Sequence, residues 1–249
     1  MFTKKNATGF ADALLREAEG LELLGSAITK AGVSGVQVPR VYSVSQERLE
    51  MTAIMPERRS DELLRQFGRG LARIHDLPQG GYGFHRDNYI GLNPQKNQES
   101  DRWGDFFVEY RLGYQVSLIT DLALRTRFTQ ILDSKRDLLA EWLDERAGGP
   151  SLLHGDLWSG NVLFDDTTVW LIDPAVYYGD SEADIAMTEM FGGFGPAFYE
   201  AYGTFRPLSQ DYAMKREIYN LYHFLNHYNL FGGFYLAPCE SGIEAIRKL

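Results

Sequence analysis

The segment His154-Gly-Asp-Leu-Trp-Ser-Gly-Asn161 constrains this chain more than any other. Gly155 and Gly160 flank Asp156 and Asn161 and mark a loop, so these two oxygen-bearing residues belong to a turn rather than to a helix face. Two short apolar runs follow, Asn161 to Phe164 and Val169 to Ile172, which read as strands. Asp165-Asp-Thr-Thr168 between them reads as the turn of a hairpin. A hairpin returns the chain beside its starting point, so Asp173 at the end of the second strand faces Asn161. Two hard oxygen donors placed in this way suit Mg²⁺, which keeps several of its waters. Asp156 is then free to accept or orient the proton of an attacking hydroxyl.

Such a loop needs a core to hold it. A length of 249 residues with 44% hydrophobic content suits one large domain or two small lobes and excludes a mostly disordered chain. Residues 1–56 read as a small α+β unit and residues 57–249 as a mainly helical one. In the first, a strand over Met1 to Lys4 precedes a helix carrying Phe10, Leu14, Leu15, Ala18, Leu21 and Leu24, which Gly25 is expected to end. Strand-like runs follow at Val38 to Val44 and Leu49 to Met55. In the second, Asp61 to Leu77 draws one helical stripe, and Pro78 to Ser100 reads as a long loop of the kind more often functional than idle. Helices are expected over Arg102 to Ile119, Leu122 to Glu145 and Tyr212 to Phe231.

Charge narrows the partners. Lys and Arg number 25 against 34 Asp and Glu, a formal net charge of −9, which argues against binding nucleic acid. No apolar run approaches the roughly 20 residues that span a bilayer, so no membrane role is expected. The single Cys239 excludes an internal disulfide and fits a reducing compartment; a cytoplasmic location is the expectation.

Asp156, Asn161 and Asp173 match the protein-kinase catalytic loop in order and spacing. Lys4 near the end of the first strand and Glu17 in the first helix fit the phosphate-holding lysine and its glutamate partner. Lys5 and Glu19 compete for those roles on residue type alone, although strand alternation points the two lysines to opposite faces.

More of the chain resembles the fructosamine kinase (ketosamine-3-kinase) family, within the aminoglycoside phosphotransferase and choline kinase-like group. The likeness is carried by Phe2-Thr-Lys-Lys-Asn6, Arg16-Glu-Ala-Glu-Gly-Leu21, Leu71-Ala-Arg-Ile-His-Asp-Leu77 and Asp87-Asn88. It continues in Trp103 to Leu112, Ser151 to Asn161 with Trp158, Asp173-Pro-Ala175, Tyr178 to Met187 and Leu221 to His227. The resemblance implies an α+β, protein-kinase-like two-lobe fold and ATP and Mg²⁺ as cofactors. It implies phosphorylation of the sugar 3-hydroxyl of a small-molecule or protein-linked ketosamine, whose product decomposes and frees the amine. Lys4 and Glu17 become the nucleotide pair, Asp156 the catalytic carboxylate, and Asn161 and Asp173 the metal ligands. Adenine is expected against the backbone of Met51, Thr52, Ala53 and Ile54; Thr52 stands where relatives often carry an acidic residue. His154 and Asp184 support the loop, Asp184 by accepting its backbone hydrogen bonds. Trp158 either walls the sugar site or packs against the C-terminal helices.

In the family, two strands and a glycine-rich loop precede the lysine strand and cover the ATP phosphates. This chain begins at the lysine strand, so the expectation is a truncated small lobe, weak ATP binding, poor catalysis and an exposed sheet edge. Two rivals stand beside the first reading: a phosphotransferase acting on an aminoglycoside or choline-like hydroxyl, and an inactive pseudokinase that only binds. Outside the motifs, His223 and His227 read as core or capping residues and His75 as a structural helix end. Glu109 and Arg111 are candidates for ion pairs with a neighbouring helix, and Asp180 and Glu182 for attracting an amine-bearing substrate.

Overall fold

In the computed structural model, which describes all 249 residues, strand β1 (Phe2–Lys5) opens the chain and helix α1 (Ala13–Lys30) follows. The helix runs straight through Gly25 instead of ending there. A glycine inside a helix costs about 1 kcal/mol. Here Leu24, Ala27 and Ile28 bury their side chains in the main core on either side of it, and that burial outweighs the penalty. Strands β2 (Val36–Gln37), β3 (Val41–Val44) and β4 (Arg48–Met51) come next. The expected strand from Val38 starts only at Val41, because Pro39 has no N–H to give to a ladder. β4 lies between β1 and β3, antiparallel to both, which sets Lys4 opposite Leu49 and leaves β1 at an edge. Leu14, Ala18 and Leu21 of α1 pack onto Leu49 and Met51 of β4 as a small separate core.

Helix α2 (Asp61–His75) starts at Ser60, whose hydroxyl accepts from the Leu63 amide, and carries Asp61 and Glu62 in its first turn. Leu63, Leu64, Phe67, Leu71 and Ile74 are buried, as the stripe predicts. The stretch 78–100 is not all loop. It contains a two-stranded hairpin, β5 (Asn88–Ile90) and β6 (Asn93–Gln95), turned at Gly91 with φ 58°. Strands of three residues are too short for alternation to reveal them.

Helix α3 (Trp103–Phe106), a π-helical stretch (Phe107–Gly113) and α4 (Tyr114–Ser117) run in sequence over the expected helix, and α5 (Leu122–Arg146) follows, capped by Asp121. Then come β7 (Pro150–Leu153), a 3₁₀ turn (Ser159–Asn161), β8 (Val162–Phe164), β9 (Val169–Leu171) and β10 (Tyr177–Asp180). β8 and β9 form the expected hairpin, its turn fastened by Asp165, which accepts from the amides of Thr167 and Thr168. β2 adds to β9 in parallel, and β10 pairs with β7, which places the loop after β7 next to the start of α6 (Glu182–Thr188). Helices α7 (Pro196–Phe205), α8 (Tyr212–Phe231), a 3₁₀ turn (Gly233–Tyr235) and α9 (Leu236–Arg247) complete the chain. One continuous core of 50 residues joins these elements. No helix is long and apolar enough to cross a membrane.

Candidate active site

The loop after β7 is pinned from behind before it presents anything to solvent. The amides of His154 and Gly155 donate to the two carboxylate oxygens of Asp184 on α6, at 2.7 and 2.9 Å. Only glycine fits at 155: φ is 79°, and a Cβ would lie 2.0 Å from the Ala175 carbonyl oxygen. Asp184 is fully buried. Burial alone would raise its carboxyl, but the His75 ring and the Gly155 amide outweigh that and hold it below the usual carboxylate range. His75, expected as a helix end, is instead buried between Asp184, 3.3 Å from Nε2, and the Tyr202 hydroxyl, 3.0 Å from Nδ1. The His154 ring lies 2.9 Å from the Ile172 carbonyl through Nε2, and its Nδ1 accepts from the Asp156 amide at 3.3 Å. Burial keeps that imidazole neutral, with its proton on Nε2.

On the solvent side the loop meets the small sheet. Asn161 Nδ2 donates to the Asp156 carboxylate at 2.9 Å and to the Asp156 carbonyl at 2.8 Å. The Asn161 carbonyl accepts from the Ile172 amide, and this closes the hairpin end so that Asp173 stands beside it. Asp173 has φ 53° and is the one non-glycine residue with a positive φ, a cost seen most often at functional positions. Lys4 Nζ reaches across to both Glu17 Oε2 and Asp173 Oδ1, each at 2.8 Å. Burial works against the ammonium, but the two carboxylates prevail and raise it, so Lys4 is a cation. Burial also pushes the Asp156 carboxyl up to about 7, against the pull of the Asn161 hydrogen bond. That range suits a group that takes a proton near neutral pH.

Lys4, Glu17, Asp156, Asn161 and Asp173 all border one cleft of about 320 Å³. Its donor set fits Mg²⁺. The Asn161 amide nitrogen is committed to Asp156, which leaves Oδ1 without a protein partner, and the half-exposed Asp173 has a second carboxylate oxygen free. Glu19 is bound to Arg16 at 2.8 Å, so Glu17 alone partners Lys4; Lys5 borders the same cleft instead of facing away from it. Met51 to Ile54 do not border it. Met51 is buried in the small core, and the Thr52 amide donates to Arg40, while the amides of Ala53 and Ile54 have no protein partner. Trp158 lines the cleft and packs edge-on at 5.5 Å against Phe191, which lies in the turn between α6 and α7 rather than on a C-terminal helix.

Sequence reading missed three contributors. The β5–β6 hairpin brings Asn88, Tyr89 and Leu92 to the cleft; the resemblance marked Asn88, whereas for Tyr89 and Leu92 only the length of the loop hinted at a role. Arg16 also lines the cleft, although the sequence marked it only as the first residue of the segment that carries Glu17. The tie from His75 to Asp184 has no local signal. Asp180 and Glu182 are corrected outright: both are buried against Lys215 Nζ, at 2.5 and 2.6 Å, so they cannot attract a substrate. Glu109 pairs with Arg136 of α5, but Arg111 is wholly buried over the Tyr177 ring without a carboxylate. His223 is a core residue, pushed down to about 3 by burial.

The sequence model described as fructosamine kinase matches residues 1–248. A probable ketoamine kinase of Vibrio parahaemolyticus is 40% identical over 252 residues, which covers 98% of this chain and 84% of that protein. The chloroplastic protein-ribulosamine 3-kinase of Arabidopsis thaliana is 41% identical over 182 residues, 72% of this chain and 56% of that one. Among solved structures, a candidate fructosamine-3-kinase of Thermobifida fusca superposes with a TM-score of 0.83 at 29% identity, covering all of this chain and 85% of the other. The α+β, kinase-like architecture expected from the sequence is the architecture found.

Proposed function

The chain belongs to the fructosamine kinase family, and on that premise we propose that it transfers the terminal phosphoryl group of ATP to the 3-hydroxyl of a ketosamine. The observation that carries this reading is the convergence of Lys4, Glu17, Asp156, Asn161 and Asp173 on one cleft from elements 169 residues apart in the chain. The acceptor oxygen attacks the γ-phosphorus, the bond to the bridging oxygen breaks and ADP leaves. Asp156 orients the acceptor hydroxyl and takes its proton. Lys4, held by Glu17, exchanges Asp173 for phosphate oxygens when nucleotide enters. Asn161 Oδ1 and Asp173 hold Mg²⁺, and the ion when bound supplies neutralisation of phosphate charge. Adenine uses the free amides of Ala53 and Ile54 beside Met51 and Thr52, and Trp158 walls the sugar. His154 and Asp184 keep the loop in shape without touching substrate. Residues 1–56 and 57–249 act as the two lobes around the cleft, and the protein works in the cytoplasm on free or protein-linked ketosamines.

The test is phosphate transfer from Mg·ATP to a fructose-derived ketosamine by the wild type and by Asp156→Ala. Loss of proton acceptance and orientation lowers kcat by about 10²–10⁴-fold. Turnover unchanged by the substitution removes the role given to Asp156.

A further inference from the structure

The C-terminal end of α8 and the turn after it form a surface that the phosphoryl-transfer residues do not use. Trp158, a cleft residue, packs on Phe191, and Phe191 packs on His227 at 5.5 Å between centroids. His227 in turn meets Tyr235 at 4.9 Å and Phe231 at 5.7 Å. The ring series therefore leads from beside Asp156 out to solvent. On the other side, Leu230 approaches the tip of the β5–β6 hairpin at Gly91, next to the cleft residue Leu92. These rings are not core. Phe231 is 62% exposed and Phe234 97%, on a turn begun by Gly232-Gly233. From Ile218 to Cys239 the sequence has no Asp, Glu, Lys or Arg, in a chain that is 24% charged. A linked series of rings that leads from a polar cleft to exposed apolar surface is the form of a ligand subsite. With no side-chain charge between Ile218 and Cys239, that segment offers apolar contact and ring faces rather than ion pairs.

We propose that this aromatic surface is the subsite for the amine half of the acceptor, selecting ketosamines whose amine carries an aromatic or bulky apolar group. The proposal rests on the ketosamine-kinase reading. With the sugar hydroxyl at Asp156 and the sugar against Trp158, the amine leaves the cleft toward Phe191. The secondary ammonium lies against ring faces, which attract a cation. Its substituent then spreads over Phe231, Tyr235 and Phe234.

The experiment compares two fructose-derived ketosamines, of benzylamine and of methylamine, which differ in the apolar group and carry no other charge. Affinity is measured by calorimetry without nucleotide, and kcat/KM with Mg·ATP. Wild type favours the benzyl compound by about tenfold, and Phe231→Ser/Phe234→Ser brings the two within about twofold. Both phenylalanines are exposed, so their loss leaves the core intact. Phe205→Ser, which removes an equally large exposed ring on α7, keeps the preference. Equal affinities in the wild type, binding of neither compound, or a preference that survives the double substitution overturns the proposal. A loss of preference equally caused by Phe205→Ser overturns it too. A benzyl preference in binding with no turnover of either compound sinks the kinase reading and leaves the subsite standing.

Discussion

The two walls of the cleft are held by very unequal amounts of packing. Lys4 and Glu17 rest on a core of five buried residues, Leu14, Ala18, Leu21, Leu49 and Met51. Asp156 and Asn161 are backed by a core of 50 and by a carboxylate buried beneath the loop. Backbone opening is cheapest where few apolar contacts resist it, so the wall carrying Lys4 and Glu17 is the softer one and the wall carrying Asp156 and Asn161 the stiffer. Phosphoryl transfer draws on both properties. The reacting hydroxyl must be held to a fraction of an ångström, whereas the phosphates must enter and leave.

The strongest way to break this contrast is to remove what stiffens the wall carrying Asp156. Asp184→Asn leaves His154 and Gly155 amides facing a weaker acceptor in a dry site, and is expected to cost about 2–4 kcal/mol of global stability. Because burial is outweighed and the carboxyl is held below its ordinary value, its contribution is complete above the unfolded-state value of about 4. It is lost as pH falls through the lower folded value, so wild type and variant converge in acid. Urea unfolding at pH 7 and at pH 3 reads both limbs; a gap that widens in acid contradicts the assignment. Leu49→Ala acts on the other wall and costs about 2–3 kcal/mol locally. Hydrogen exchange should quicken in β1 and β4 while β7 and α6 keep their protection. Equal quickening in all four makes the two cores one cooperative unit and ends the contrast. The smallest effect sharpens it: Gly203→Ala fills open space inside α7 and should stabilise the large core by about 0.5–1 kcal/mol. Thermal unfolding should rise slightly, with exchange in β1 unchanged.

The same inequality explains what could be read from the sequence. The grouping of Asp156, Asn161 and Asp173 was legible because it is local: the three lie within one loop and one hairpin, and glycines mark the turns. The length of α1 was not, since Gly25 is a local stop signal and the burial of Leu24, Ala27 and Ile28 that overrides it is a tertiary fact. The β5–β6 hairpin has strands too short to show a period. The partnership of Lys4 with Glu17 rather than Glu19 was settled in part by three-dimensional neighbours, His85 and Arg86 having closed on Glu19 beside its helix neighbour Arg16. Asp180 and Glu182 read as surface carboxylates because nothing nearby in sequence announces Lys215, which neutralises them in the interior.

Helix α1 crosses from one core to the other, with Leu14, Ala18 and Leu21 in the small one and Leu24, Ala27 and Ile28 in the large one. Mechanically it is a lever clamped at its C-terminal half. Glu17 sits seven residues up the arm from Leu24, a reach of about 10 Å at 1.5 Å per residue, so a tilt of about 10° carries its carboxylate some 2 Å. A displacement of that size is enough to part Glu17 from Lys4, so the inclination of one rod sets whether that ion pair holds.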